Sequence, residues 1–228
     1  MSVLLSISNQ LAKSTKLELS RLTDSNDQNP GVQPITTHST QVAWQLQLLK
    51  IGNSNLVIAI ESYSRYLLLL PFYSSPTWDE VKNAFYEKWL ANMRSWMKMG
   101  GFIRNDNQQT QLEKKFQTQP EPQLYRNLDM SIGGHITDTQ FWVRDYMDQM
   151  GEQRFEQYMA QELGSHINTQ PKRVKDISGK KRKFDPLERF LDDSLYRFAQ
   201  GLCDQPIPGC AMGDFPNPHK RAPKLMIV

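Results

Sequence analysis

The amino-acid sequence predicts an α+β protein: an antiparallel sheet of three to five strands packed by about four helices. Three observations predict it. Residues 41–50, "QVAWQLQLLK", alternate, with Val42, Trp44, Leu46 and Leu48 on one side and Ala43, Gln45 and Gln47 on the other. Period-2 alternation marks a strand with one buried face. Two further apolar runs, "LVIAIE" and "YLLLLP", follow across the turn-rich segments "IGNSN" and "SYSR", which is the pattern of consecutive hairpins. From Trp78 onward, apolar residues recur every three or four positions, the period of one helix face.

The elements follow in order. "VLLSI" at 3–7 reads as a first strand and "SNQLAKS" as a helical turn. Residues 23–40 hold Asp, Asn, Pro, Gly, Ser and Thr with little else, a surface loop or flexible excursion. The run "YLLLLP" is continuously apolar, as a strand buried on both faces would be, and Pro71 ends it. Thr77 and Glu80 form a capping box for the next helix. Its Trp78, Val81, Phe85, Trp89, Met93 and Trp96 share one face, and Gly100 and Gly101 stop it.

Residues 104–123 are polar, with Pro120 and Pro122, and "QLYRNLDMSI" reads as a fourth strand. A "GGH" turn follows. Thr137 and Gln140 then form a second capping box, opening a helix with Phe141, Trp142, Tyr146 and Met150 toward the core. After Gly151 the helical pattern resumes with Phe155, Tyr158, Met159 and Leu163. The last helix starts with Asp185 as N-cap, Pro186 at N1 and Glu188 at N3. Leu187, Phe190, Leu191, Leu195 and Phe198 line its buried side, and Gly201 ends it. Residues 1–200 thus read as a single domain with a flexible loop at 23–40, and 201–228 as a Pro-rich tail, extended or disordered unless docked.

The totals narrow the function classes. A chain of 228 residues can bury one sizeable core. The net charge of +3 is too small for a polycation, so affinity for nucleic acid has to come from local clustering. Cys203 and Cys210 are too few for a disulfide framework. The first residues lack a charged segment followed by a long apolar one, and no apolar run reaches a membrane span. The expectation is a cytoplasmic, soluble protein with no membrane segment.

Two segments carry candidate chemistry. In "SIGGHITDTQ", Gly133 and Gly134 precede a predicted helix N-terminus, where free N–H groups favour an anion. His135 sits beside them as a candidate acid or base, with Arg126 upstream. The plainer reading is a tight turn before a capped helix, since neither the P-loop nor the dinucleotide fingerprint is present. The second segment is the basic run: Lys172, Arg173, Lys175, Lys180, Lys181, Arg182 and Lys183, seven cations against Asp176 within twelve positions. Such a cluster neutralises phosphates without reading sequence. Only Phe184 lies near enough to stack on a base. The plainer reading is a solvated loop.

Other chemistry has little support. His38, His135, His166 and His219 are scattered without metal-ligand spacing, and Cys203 and Cys210 fit no zinc pattern, so no metal or cofactor is expected. There is no GxSxG nucleophile elbow. Asp192 and Asp193 read as a solvated charged face. The reading is a non-catalytic binding protein that contacts nucleic acid or a protein partner through the Gly-Gly-His turn and the basic loop. The alternative is a metal-independent nuclease using Arg126 and His135. A purely protein-binding module is the third reading. Oligomeric state is left open.

The order of segments also resembles a family. Trp44, Glu61, Ser64, Pro71, Ser131, Gly133, Asn168, Pro171 and Pro186 match a pattern of Trp-bearing strand, hairpin strand, apolar strand closing at Pro, Ser-Gly turn, Asn-x-x-Pro segment and Pro-started helix. That pattern resembles a family of small bacterial proteins of unknown function, domain of unknown function 6933, over roughly residues 3 to 198. The resemblance implies one α+β domain and brings no activity or functional residues. The loop at 23–40 and the tail look like additions. "INTQPKRV" and "KFDPLERF" are also similar to the C-terminal edge of some transposase integrase domains. Those enzymes need three spaced acidic residues; the strands here carry Glu61 and little else acidic, so the likeness implies shared turn chemistry only.

Overall fold

The computed structural model describes residues 1–23, 29–175 and 181–202. An α+β architecture is present, but its sheet is mixed. β1 (Ser2–Ile7), β2 (Gln41–Ile51), β3 (Ser54–Glu61), β4 (Leu67–Phe72) and β5 (Gln123–Arg126) lie in the order β4-β3-β2-β1-β5. β2, β3 and β4 form the antiparallel meander expected from their turns. β1 inserts between β2 and β5 and runs parallel to both. The purely antiparallel expectation fails there because β1 and β5 reach their neighbours over long connections, whose direction no local pattern encodes.

Among the described residues, six helices cover both faces of the sheet: α1 (Asn9–Ser14), α2 (Trp78–Met99), α3 (Asp106–Gln117), α4 (Met130–Met150), α5 (Gln157–Thr169) and α6 (Pro186–Phe198). On one face, α2, α3 and α6 pack onto Val3, Leu5, Val42, Trp44, Leu46 and their neighbours. On the other, α4 and α5 pack onto Ala43, Leu56, Ile58, Ile60, Leu67 and Leu69. The aromatic centre of the first layer is Trp44, Phe85, Trp89, Phe116 and Phe198 in edge and tilted contacts.

This arrangement corrects several expectations. β2 is buried on both faces: Ala43 and Gln45 are fully covered, and Gln45 Oε1 accepts the Asp129 N–H at 2.7 Å. Residues 106–117 form a helix, capped by Asn105 and buried through Leu112 and Phe116, although their many Gln and Asn hide its period. α4 starts at Met130 behind an Asp129 N-cap, not at Thr137. Its core stripe is therefore Ile132, Ile136, Thr139, Val143 and Met147. Phe141 and Trp142 face outward, 69% and 41% exposed, and Met150 and Tyr158 are also exposed. Gly151, at φ 67°, ends α4 in the left-handed region, and α5 begins only at Gln157.

Other elements match the sequence reading. The Thr77–Glu80 capping box is formed, and Val81, Phe85, Trp89 and Met93 are buried, while Trp78 and Trp96 are half-buried. Asp185 accepts from the Leu187 and Glu188 amides and launches α6, whose Leu187, Phe190, Leu191, Leu195 and Phe198 are buried. The expected excursion at 23–40 is tied down over residues 31–40: Ile35 is buried and its N–H donates to Asp129 Oδ2. The tail from 203 on, with Cys203, Cys210 and His219, lies outside the described residues. No described helix is long and apolar enough to cross a membrane.

Candidate anion-binding site

The basic run folds as a two-stranded hairpin, β6 (Lys172–Lys175) and β7 (Lys181–Phe184), with Arg173 opposite Lys183 in register. Lys175, Lys181 and Arg182 fall within its strands, and Lys180 lies outside the described residues. Arg173 and Lys183 are exposed and Lys172 is half-buried. Burial pulls the Lys172 ammonium below its ordinary value, and Asp138 opposes this. One face of Phe184 is taken by the Arg189 guanidinium, 3.7 Å from its ring centroid.

Gly133, Gly134 and His135 do not form a turn. They occupy the first turns of α4. Asp129, whose Oδ1 accepts the Ser131 N–H at 2.7 Å, starts the helix before the glycines, so they need no special backbone conformation. No atom lies within 4 Å of where a Cβ on either would stand. His135 is half-buried, and its pKa is pushed down to about 4, chiefly by burial, with the charges of Arg65 and Lys172 adding and Asp138 opposing. Lys172 of the hairpin and His135 of α4 thus act on each other electrostatically. Arg126 is elsewhere, on the β5 edge strand, where Arg21 bridges to its backbone.

The same region holds a polar cluster that the sequence reading missed. The turn after β3 is organised by Glu61, 2% exposed. Its carboxylate accepts from the Thr37 hydroxyl, from the Tyr63 N–H at 3.0 Å, and from the Ser64 N–H and Oγ at 2.5 and 2.6 Å. Arg65 follows at φ 59°, a left-handed conformation that costs a side-chain-bearing residue roughly 1–3 kcal/mol. It is 7% exposed. Its Nη2 donates to Ser131 Oγ at 3.1 Å, while its Nε and Nη1 have no hydrogen-bond partner among the described residues. Burial lowers the Arg65 pKa; Asp129 and Glu61 oppose this, and Arg189 adds to it. Each unmade buried donor costs about 1–3 kcal/mol, so strain and unmet hydrogen bonds fall on one residue. The signal was weak in sequence, because "SYSR" reads only as a turn.

α6 closes the cluster from the other side. Arg189 Nη1 donates to the Tyr63 carbonyl at 3.2 Å. Asp193 is buried and pairs with Arg197 at 2.7 Å, and Asp192 is half-buried, which corrects the solvated-face reading of the pair. Their side of α6 faces Tyr63 and the His38–Gln41 segment, whose carbonyls accept from Arg197. Burial, then mutual repulsion, raises the Asp192 carboxyl to about 6. Among the described residues, no group of three His, Cys, Asp or Glu side chains could hold a metal ion.

Several cross-links tie this end of the sheet together. Trp44 pairs with Glu61 across β2 and β3, Ser64 bonds Glu61, Ser131 receives Arg65, and the Asn168 amide bonds both the Leu67 N–H and carbonyl. No family model, curated protein or solved structure matches the chain.

Proposed function

We propose that this chain is a non-catalytic nucleic-acid-binding protein whose basic β6–β7 hairpin and outer α4 surface form one contact face. One observation carries the reading: the basic run folds as a hairpin in which Arg173 and Lys183 stand opposite each other and exposed. The hairpin supplies cations for phosphates. The same helix exposes Phe141 and Trp142, aromatic surfaces of the kind on which bases stack. Trp142 stands next to His166 of α5, the helix that leads into β6. The likeness to the small bacterial proteins and the cytoplasmic compartment expected from the sequence belong to this proposal.

A nuclease using Arg126 and His135 has less in its favour. The charges acting on His135 are those of Arg65, Lys172 and Asp138, and a group with a pKa near 4 is a poor proton donor at neutral pH.

Fluorescence anisotropy with a labelled single-stranded oligonucleotide, read across salt concentration, tests the proposal. Affinity falls steeply with salt, and Lys172→Gln, Arg173→Gln and Lys183→Gln together flatten the slope by about 2, at roughly 0.7 per lost phosphate contact. His135→Ala retains most of the affinity. No binding at low salt, or a slope unchanged by the triple variant, removes the reading and leaves a protein partner as the ligand class.

A further inference from the structure

We propose that Arg65 anchors a discrete site for a single phosphoryl group, at the junction of the Glu61–Tyr66 turn with the start of α4. The inference rests on the reading above only in taking the ligand to be anionic. Its own support is different: a guanidinium 7% exposed, held at positive φ, with Nε and Nη1 unpartnered among the described residues.

The neighbouring acids are already committed. Asp129 receives the Ser131 and Ile35 amides, and Glu61 receives Thr37, Tyr63 and Ser64. Neither makes an ion pair with Arg65 within 4.0 Å among the described residues. The missing acceptor is therefore an outside group. Two donors of Arg65, Nε and Nη1, lack acceptors, and the count of acceptor oxygens favours a phosphoryl group over a carboxylate. A phosphoryl group brings up to two charges and three acceptor oxygens, where a carboxylate brings one charge and two.

Access is short. The Nη2 end of Arg65 rests on Ser131, which is exposed. Beyond Ser131, Gly133 and Gly134 leave the backbone of α4 bare, with no atom within 4 Å of either Cβ position. Rotation of Ser131 would open Arg65 Nη2 to a phosphoryl oxygen, and a shift of the Glu61–Tyr66 turn would be needed to bring the covered Nε and Nη1 to it.

The phosphate has two possible sources, the end of a nucleic-acid strand or a free phosphate, and the test separates them. Thermal melts of the full chain are run with inorganic phosphate. In parallel, affinities are measured for one oligonucleotide with a 5′-phosphate and with a 5′-hydroxyl. Arg65→Asn keeps a residue that tolerates positive φ, and Arg65→Lys keeps the charge without the planar donors.

Phosphate at millimolar concentration raises the melting temperature of the parent and not of either variant. The 5′-phosphate strand binds about tenfold tighter than the 5′-hydroxyl strand, a ratio that falls to one in the variants. A phosphate shift with no difference between strands supports the site and assigns it to a free phosphate. Equal responses of parent and variants, or no phosphate effect and no strand difference in the parent, overturn the Arg65 site, even where both strands still bind through the hairpin. Conversely, a phosphate shift without any strand binding supports Arg65 and fails only the nucleic-acid reading.

Discussion

Gly134 is exposed inside α4, and an added Cβ would meet no atom within 4 Å. A glycine in a helix interior costs about 1 kcal/mol relative to alanine. Gly134→Ala therefore raises stability by about 0.5–1 kcal/mol, measured by urea unfolding. A turn glycine at positive φ would show the reverse, so the same measurement separates helix from turn at this position. The glycine pair was misread because Gly-Gly commonly marks a turn, and Asp129, the true N-cap, lay hidden within the predicted fourth strand. His135 and Asp192 give two opposed pH effects. The folded pKa of His135, about 4, lies below the ordinary 6.5, so the unfolded chain takes up that proton first. Its contribution is full above pH 6.5 and is lost as pH falls toward 4; His135→Gln flattens that loss in pH-resolved melts. The folded pKa of Asp192, about 6, lies above the ordinary 3.8. Its contribution is full below pH 3.8 and is lost as pH rises through 6, so Asp192→Asn stabilises most above pH 7 and gives no gain near pH 3.

At the scale of elements, legibility followed the strength of local chemistry. α2 and α6 announced themselves through caps that form as read, Thr77 with Glu80 and Asp185 with the Leu187 and Glu188 amides. α3 did not, because only Leu112 and Phe116 mark its buried face and the rest of the helix is polar or charged. The phase of α4 was lost with its start, which is why Phe141 and Trp142 were assigned inward. A different kind of element contact joins β4 to α5. The Asn168 amide accepts from the Leu67 N–H at 2.7 Å and donates to the Leu67 carbonyl at 2.9 Å, standing in for a neighbouring strand. Both backbone groups are buried, and nothing in sequence announces such a pairing. Asn168→Ala leaves the two unmet at about 1–3 kcal/mol each. The expected loss is roughly 2–4 kcal/mol in chemical denaturation, well beyond the loss of a surface amide, while Asn168→Asp, which keeps only the acceptor half, is also strongly destabilising.

For the whole molecule, the decisive fact is that one sheet carries two cores. Alternation along β2 sends Trp44 and Leu46 to the layer of α2, α3 and α6, and Ala43 to the layer of α4 and α5. The two layers share every strand of the meander, so neither keeps its buried surface once the sheet opens. The sequence showed this only at "YLLLLP", whose Leu67–Leu70 are buried on both faces as read, and not at β2. The antiparallel meander was legible from its turns, but the burial of both faces depends on helices distant in the chain, and the parallel pairing of β1 depends on two long connections. A single cooperative transition follows. The tryptophans provide the probe, because Trp44, Trp78, Trp89 and Trp96 belong to the first layer and Trp142 lies on α4 over the second. Phe155 is fully buried in the second layer. Phe155→Ala costs about 3–5 kcal/mol through lost burial and the cavity it leaves. In a shared-sheet protein that loss lowers the midpoint of tryptophan emission and of far-ultraviolet circular dichroism equally, although most of the tryptophans stand on the far side of the sheet. An emission midpoint that stays put while ellipticity falls early would mean that the α4–α5 layer unfolds by itself. The proposed binding face, built on α4 and the hairpin, would then be able to detach from an intact first layer, and its geometry would no longer be fixed by the sheet.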